Sequence, residues 1–157
     1  MRLAFDVEGI PKTKGSMRSW LNKRTGRIVT HNDDPRTAAW ERRVHLEAVA
    51  AARRAALRPF SGAVVVSLTF RLPRPPSSVR RDGTPRARAE PWPLKKRSGD
   101  LDKLQRPVLD ALTGIAWSDD AQVVGVAATK EWATRERRAG VEVVVTEAAD
   151  VVTEGAA

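Results

Sequence analysis

The apolar pattern between Val64 and Leu72 constrains the fold of this 157-residue chain most strongly. Apolar side chains occupy every second position of the segment, at residues 64, 66, 68, 70 and 72. Successive side chains of a β-strand point to opposite faces, so these positions share one face. A strand with one wholly apolar face needs a covering layer, which predicts a sheet packed against helices.

The segment before this strand supplies a covering helix. Asp34-Pro35 is a typical helix start, with Asp as the N-cap and Pro at the first helical position. An apolar stripe follows at helical spacing, formed by Trp40, Val44, Ala48, Ala51 and Ala55. Its small alanines predict close packing on a sheet, and Pro59 and Gly62 are expected to end the helix near Leu57.

The remaining segments complete a single α/β domain. Apolar patterns predict strands near residues 3–7, 123–132 and 140–146, and a hairpin over residues 20–30. Helical spacing predicts a second helix over residues 102–114, with Gly114 at its C-terminal end. We therefore predict a mixed β-sheet with two main helices packed on it, within residues 1–147. Residues 148–157 lack periodicity and are predicted to form a flexible tail.

The composition excludes several kinds of active site. The chain has no cysteine, which removes disulfides, thiol nucleophiles and zinc–thiolate sites. His31 and His45 are the only histidines, so a histidine-rich metal site is not expected. No apolar run reaches membrane-spanning length, and the N-terminus lacks the apolar core of a signal peptide. We expect a cytoplasmic protein without a membrane partner.

The charge balance indicates a polyanionic partner, chiefly nucleic acid. Lys and Arg number 28 against 19 Asp and Glu, a formal net charge of +9. Residues 71–98 hold nine of the cations, two acids and six of the ten prolines, so a functional basic loop with little regular structure is predicted there. The cations expected to contact DNA are Lys12, Lys14, Arg18, Arg80, Arg81, Arg86, Arg88, Lys95, Lys96 and Arg97. The alternative is that these cations belong to solvated loops that only keep the protein soluble.

Two acidic pairs flank the second predicted helix. Asp100 and Asp102 precede or open it, and Asp119-Asp120 open the strand-like run from residue 122 to 129. If that strand lies beside the helix start, three or four carboxylates converge, which suits a hard cation such as Mg²⁺. Asp110 is expected to point away from them. The alternative is that Asp102 is a helix N-cap and that Asp119-Asp120 are ordinary turn residues.

The segments around these acids resemble the RusA family of Holliday junction resolvases. Residues 99–112 read GDLDKLQRPVLDAL and residues 117–124 read WSDDAQVV. The family has an Asp-x-Asp-Asn-Leu-x-Lys helix entry, a few turns of helix, and then Asp-Asp-x-Gln-Val. Lys130 matches a lysine after that second motif, and residues 9–14 resemble the family's opening strand and turn.

The resemblance implies a homodimeric, Mg²⁺-dependent endonuclease of RusA-like fold that cuts four-way DNA junctions, common in phages and prophages. Mn²⁺ is expected to substitute for Mg²⁺, and no small-molecule cofactor is implied. The metal ligands would be Asp100, Asp102 and Asp120, with Asp119 as an auxiliary or structural acid. Lys103 and Lys130 would join the DNA contacts.

Two positions depart from the family pattern. Lys103 stands where the family usually has Asn, and Arg106 stands where it usually has the catalytic-site lysine. Arginine keeps the positive charge but does not give up a proton at ordinary pH. Arg106 can therefore replace a lysine that acts as a charge, whereas a proton-donating role would fall to Lys103 or be lost.

Two other function classes fit the same residues. One is a non-catalytic DNA-binding protein of this fold, in which the acids serve as caps. The other is a metal nuclease for other branched nucleic acids. For a dimer, the strands 64–72 and 141–145 are the expected surfaces for pairing or face packing, because they have apolar residues to bury.

Overall fold

A computed structural model describes residues 1–15, 18–31, 34–94 and 98–149, without the side chains of residues 18–20 and 28–31. The strands are β1 (Arg2–Glu8), β2 (Arg18–Asn22), β3 (Arg27–His31), β4 (Val64–Leu72), β5 (Val123–Trp132) and β6 (Gly140–Glu147). The helices are α1 (Pro35–Arg54) and α2 (Leu101–Leu112). Short 3₁₀ turns cover Pro76–Ser78 and Asp120–Gln122. Among these residues, no helix combines the length and the apolar character needed to cross a membrane.

A mixed four-stranded sheet in the order β1-β6-β4-β5 forms the frame of the domain. β6 pairs antiparallel with both β1 and β4, whereas β4 and β5 are parallel. Parallel neighbours need a crossover connection, and α2 lies within the one between β4 and β5. The predicted mixed sheet with two helices is confirmed, and β2 and β3 form a separate hairpin.

The core lies between one face of the sheet and the two helices. The alternating apolar residues of β1, β4 and β6 are buried, as are Trp40, Val44 and Ala48 of α1 and Leu104, Val108 and Leu112 of α2. The predicted stripe on α1 is correct except at Ala55, which is the exposed C-cap. The helix ends at Arg54, before the expected stop near Leu57, and Ala56 adopts a φ of 48°.

Two predictions about the sheet are wrong. The predicted basic loop begins at Arg71, but this residue belongs to β4 and is buried, with its guanidinium bonded to the Asp6 carboxylate and the Arg138 carbonyl. Gly140 lies opposite Arg71 and leaves room for it. The strands 64–72 and 141–145 cannot pair edge to edge with a second subunit, because β4 and β6 are the two inner strands of the sheet. Packing of their faces between subunits stays a prediction.

The predicted strand over residues 123–132 agrees with β5, and the predicted tail is described only in part. Gln122 is the last residue of a 3₁₀ turn, so β5 begins at Val123 and runs to Trp132. The predicted flexible tail, residues 148–157, lies outside the described residues from residue 150 onward.

Candidate active site

The start of α2 is fixed by close contact with the segment that follows β1. Gly99 has a φ of 77°, and a Cβ at this position would lie 2.6 Å from Thr13 Cγ2. Glycine alone therefore allows both the backbone conformation and the approach of the two segments. Lys130 Nζ donates to the Gly99 carbonyl at 2.9 Å. Lys130, expected to contact DNA, thus ties β5 to the residue before Asp100.

Pro107 lies inside α2 and allows a second contact between this helix and the segment that follows β1. Proline has no N–H, so the carbonyl of Lys103, four residues earlier, loses its usual helical donor. The Lys14 amide donates to that carbonyl at 2.9 Å. The helix continues through the proline to Leu112, and the vacated acceptor is satisfied by the N-terminal segment.

A cavity of about 520 Å³ lies between α2, the Asp120 turn and the start of β5. Five residues predicted for the site line it together, namely Lys14, Asp102, Lys103, Arg106 and Asp120. Asp110 lines it as well, with Gln105, Leu109, Val123 and Val126. Among the described residues, the charged lining consists of three acids and three cations.

Asp110 was expected to point away from Asp102, and this is wrong. Eight residues at 3.6 per turn leave a rotation of only about 80° between the two positions. Both therefore belong to the side of α2 that lines the cavity. Asp110 Oδ2 accepts from Lys14 Nζ at 2.8 Å, and the same ammonium lies 3.1 Å from Glu41 Oε2 on α1.

Asp120 is held by two donors on one oxygen. Its Oδ1 accepts from Thr113 Oγ1 at 2.5 Å and from Trp117 Nε1 at 3.1 Å. The Thr113 hydroxyl, followed by the Trp117 indole, lowers the pKa of Asp120 below its ordinary value of 3.8. The stability from these bonds is therefore present above that ordinary value and is lost as the pH falls through the lowered pKa. Trp117 is fully buried, so the carboxylate is anchored to the core.

Asp119, unlike Asp120, stabilises the turn itself. Its Oδ1 accepts from the Ala121 amide at 2.8 Å, and it caps the turn reciprocally with Gln122. Gln122 Oε1 accepts from the amides of Ser118 and Asp119, while its Nε2 donates to the carbonyls of Phe60 and Gly62. Asp119 and Gln122 thus build the turn that presents Asp120. Asp119 is not among the residues lining the cavity.

Asp100 occupies the N-cap position of α2 but makes no side-chain capping bond. Its Oδ2 accepts from Lys103 Nζ at 2.9 Å, and both side chains are substantially exposed. The bond to Asp100 raises the pKa of Lys103. Asp100 does not line the cavity, and Asp102, rather than capping α2, lies in its first turn.

The donor chemistry of the cavity suits a hard divalent cation, because its acids offer carboxylate oxygens. Within the described residues, however, no three His, Cys, Asp or Glu side chains stand close enough together to hold a metal ion as they are. Asp110 is already paired with Lys14. The two acids with a predicted ligand role inside the cavity are Asp102 and Asp120.

The basic loop is anchored in part and exposed at its arginines. Arg74 stacks over Trp132 at 5.2 Å from the ring centroid, and both side chains donate to the Glu90 carbonyl. The turn Pro76–Ser78 and a bridge between residues 79 and 85 add some regular structure to it. Among the loop residues that the structure describes, the exposed cations are Arg80, Arg81, Arg86 and Arg88.

The other predicted DNA contacts are less connected to the cavity. Lys12 lines a separate cavity of about 680 Å³ on the side of Trp132 and Arg74. Lys95, Lys96 and Arg97 lie outside the described residues, as does the side chain of Arg18.

Comparison with known proteins identifies the family of this chain. The family model described as Endodeoxyribonuclease RusA matches residues 10–146, which include both helices, β4, β5 and the cavity. No curated protein matches the chain significantly. The family match covers most of the 157 residues and agrees with the resemblance seen around the acidic pairs. The chain belongs to the RusA family of endodeoxyribonucleases.

Proposed function

We propose that the protein resolves four-way DNA junctions by divalent-metal-dependent phosphodiester hydrolysis in the cavity beside α2. The observation that supports this most is the meeting of Asp102 and Asp120 in one cavity with Arg106. Asp102 and Arg106 lie on α2 and Asp120 lies in the turn before β5, so the cavity joins the two segments that carry the family resemblance. The family itself is one of endodeoxyribonucleases.

Asp102 and Asp120 would hold the cation, with Asp100 joining from the N-cap position of α2. One oxygen of Asp120 is saturated by Thr113 and Trp117, which leaves Oδ2 without a protein donor among the described residues. Such anchoring fixes the direction in which that oxygen can bind a cation. When bound, Mg²⁺ or Mn²⁺ would activate a water molecule and neutralise charge at the leaving oxygen.

The cations of the cavity would bind the phosphate. Arg106 is permanently charged and offers several donors in a planar fork that matches phosphate oxygens. It would therefore stabilise negative charge on the phosphate and would not donate a proton. Lys103, at the same opening, would contribute a second positive charge once its bond to Asp100 gives way to the cation.

The carboxylates give the first test of this function. Asp100→Asn, Asp102→Asn and Asp120→Asn are each expected to abolish cleavage of a synthetic four-way junction, because each replaces a charged ligand with a neutral amide. Junction binding in a gel-shift assay without divalent metal should change little.

Asp119→Asn is the matched control for Asp120→Asn. Asparagine caps turns as well as aspartate does, so this variant should keep its fold and its cleavage activity. Full activity in any of the three ligand variants removes that residue from the site, and loss of activity in Asp119→Asn returns Asp119 to it. A panel of junction, flap, RNA-containing branch and linear duplex tests the substrate class.

The basic loop, which packs on Trp132 at the end of β5, is proposed to bind the DNA backbone. Replacing Arg80, Arg81, Arg86 and Arg88 with Gln should weaken binding to all DNA shapes. Each lost phosphate contact should reduce the slope of log affinity against log salt by roughly 0.9 on duplex DNA.

The control for the loop replaces Arg53 and Arg54, two exposed arginines in the last turn of α1. If the loop variant keeps the wild-type salt slope, the loop is a solvated connection and its arginines do not contact phosphates.

A two-fold dimer is proposed because symmetric resolution needs two cuts and the chain carries one cavity of this kind among its described residues. A two-fold axis brings two such cavities to one junction. Light scattering should give twice the chain mass of 17.3 kDa. A single-chain mass both alone and on junction DNA would contradict the paired-cut mechanism.

A further inference from the structure

The segment of residues 9–15 is fastened along its backbone before it reaches the cavity. The Gly9 amide donates to the Ala139 carbonyl at 2.8 Å, and the Thr13 carbonyl accepts from the hydroxyl of Thr37 at 3.1 Å. Thr37 is buried on α1. The Lys14 amide then donates to the Lys103 carbonyl, which Pro107 leaves without a helical donor. Lys14 therefore enters the cavity from a fixed backbone.

The side chain of Lys14 is fixed as well. Its ammonium bonds to Asp110 at 2.8 Å and to Glu41 at 3.1 Å, and the side chain is only 23% exposed. The bond to Asp110 is the main cause that raises the pKa of Lys14, with burial opposing it. An ammonium has three donor protons, and these two bonds use two of them. One proton remains for a group inside the cavity.

We propose that Asp110 and Glu41 are positioning residues that hold the Lys14 ammonium in the cavity, where it contacts the phosphate of the DNA strand being cut. This inference rests on the proposed function, since it needs the cavity to be the site of hydrolysis. Lys14 lines the same cavity as Asp102, Asp120 and Arg106. A phosphate bound among those three residues would therefore lie near the Lys14 ammonium.

A purely structural ion pair between α1 and α2 is the competing explanation. It accounts for the two contacts of Lys14 but not for its place in the lining of the cavity. A mobile surface lysine would also bind phosphate, but it would have to be ordered at the moment of reaction. A cation already held in place avoids that loss of entropy, and preorganised charge of this kind favours the reaction step over simple binding.

The test compares cleavage rate with binding in Asp110→Asn and Glu41→Gln. Asparagine and glutamine keep the shape and one acceptor oxygen but lose the charge that holds the ammonium. Single-turnover cleavage of a four-way junction should fall about 10- to 100-fold in Asp110→Asn, the range expected when a reacting geometry is slightly misplaced. Junction affinity should change by less than about threefold, because many other phosphate contacts remain.

A double-mutant cycle with Lys14→Met assigns the effect to the ammonium. In the Lys14→Met background, Asp110→Asn should cause no further loss of rate, because the group that Asp110 positions is gone. Asp110→Glu, which restores the charge, should recover part of the rate. Glu47→Gln, an exposed acid on α1, is the matched control and should behave as wild type.

Each outcome decides a different claim. If Asp110→Asn lowers the free energy of unfolding but keeps the cleavage rate, the ion pair is structural and the inference is wrong. If its effect persists in full in the Lys14→Met background, Asp110 does not act through Lys14. If Asp110→Asn fails to fold, Glu41→Gln carries the same test from α1. Should Asp102→Asn and Asp120→Asn both remain fully active, the cavity is not the site of hydrolysis, and the proposed function and this inference fail together.

Discussion

The hydrogen bond between the Lys14 amide and the Lys103 carbonyl is the contact on which the cavity depends. It exists because Pro107 removes the N–H that would normally occupy that carbonyl. An unpaired backbone carbonyl at a crowded helix face is energetically unfavourable. The Lys14 amide of the N-terminal segment supplies the hydrogen-bond donor that Pro107 lacks. Gly99 makes the approach sterically possible, since a Cβ there would collide with Thr13. A helix defect thus joins two distant parts of the sequence and brings Lys14 to the cavity.

A second anchor sets the acid on the opposite side. Trp117 is fully buried and its indole holds Asp120, while Gln122 fastens the same turn to the carbonyls of Phe60 and Gly62. The parallel pairing of β4 and β5 then sets where this turn stands relative to α2, because α2 lies in the crossover between them. The cavity acids are therefore placed by core packing and sheet topology, and their own attraction for a cation is not needed to assemble them.

Much of the fold could be predicted from the sequence, because local patterns carry it. The alternation from Val64 to Leu72, the Asp34-Pro35 helix start and the apolar spacing of α2 are all properties of short segments. Strand order is not local, so the position of β4 and β6 inside the sheet could not be read, and neither could the burial of Arg71 beside Asp6. That guanidinium looks like part of a basic loop until the register with Gly140 is known.

In the candidate site, too, some features could be predicted from local sequence patterns and others could not. The sequence led us to expect three or four of the paired acids to converge if the strand lay beside the helix start, and the family resemblance pointed to the same acids. Of these four, Asp102 and Asp120 line the cavity, whereas Asp100 and Asp119 do not. Asp119 and Asp120 have distinct roles because Asp119 accepts from the Ala121 amide of its own turn, whereas Asp120 accepts from Thr113 and Trp117. Two adjacent acids in a sequence do not reveal this difference. The link from Asp110 to Lys14 joins residues 96 positions apart, so no pattern near either residue indicates it. The helical rotation between Asp102 and Asp110 is the one local signal that places Asp110 beside the cavity.

The proposed function depends above all on Asp102 and Asp120 holding a divalent cation between α2 and the turn before β5. Titrating Mn²⁺ into ¹⁵N-labelled protein and following paramagnetic broadening of the amide signals tests it most directly. If both acids hold the ion, saturable broadening is expected first around residues 100–104 and 118–122, and it should be lost in the Asp102→Asn/Asp120→Asn double variant. Broadening that begins instead around the acids on the other side of the sheet, Asp6, Glu8 and Glu142, or that persists in the double variant, would contradict it.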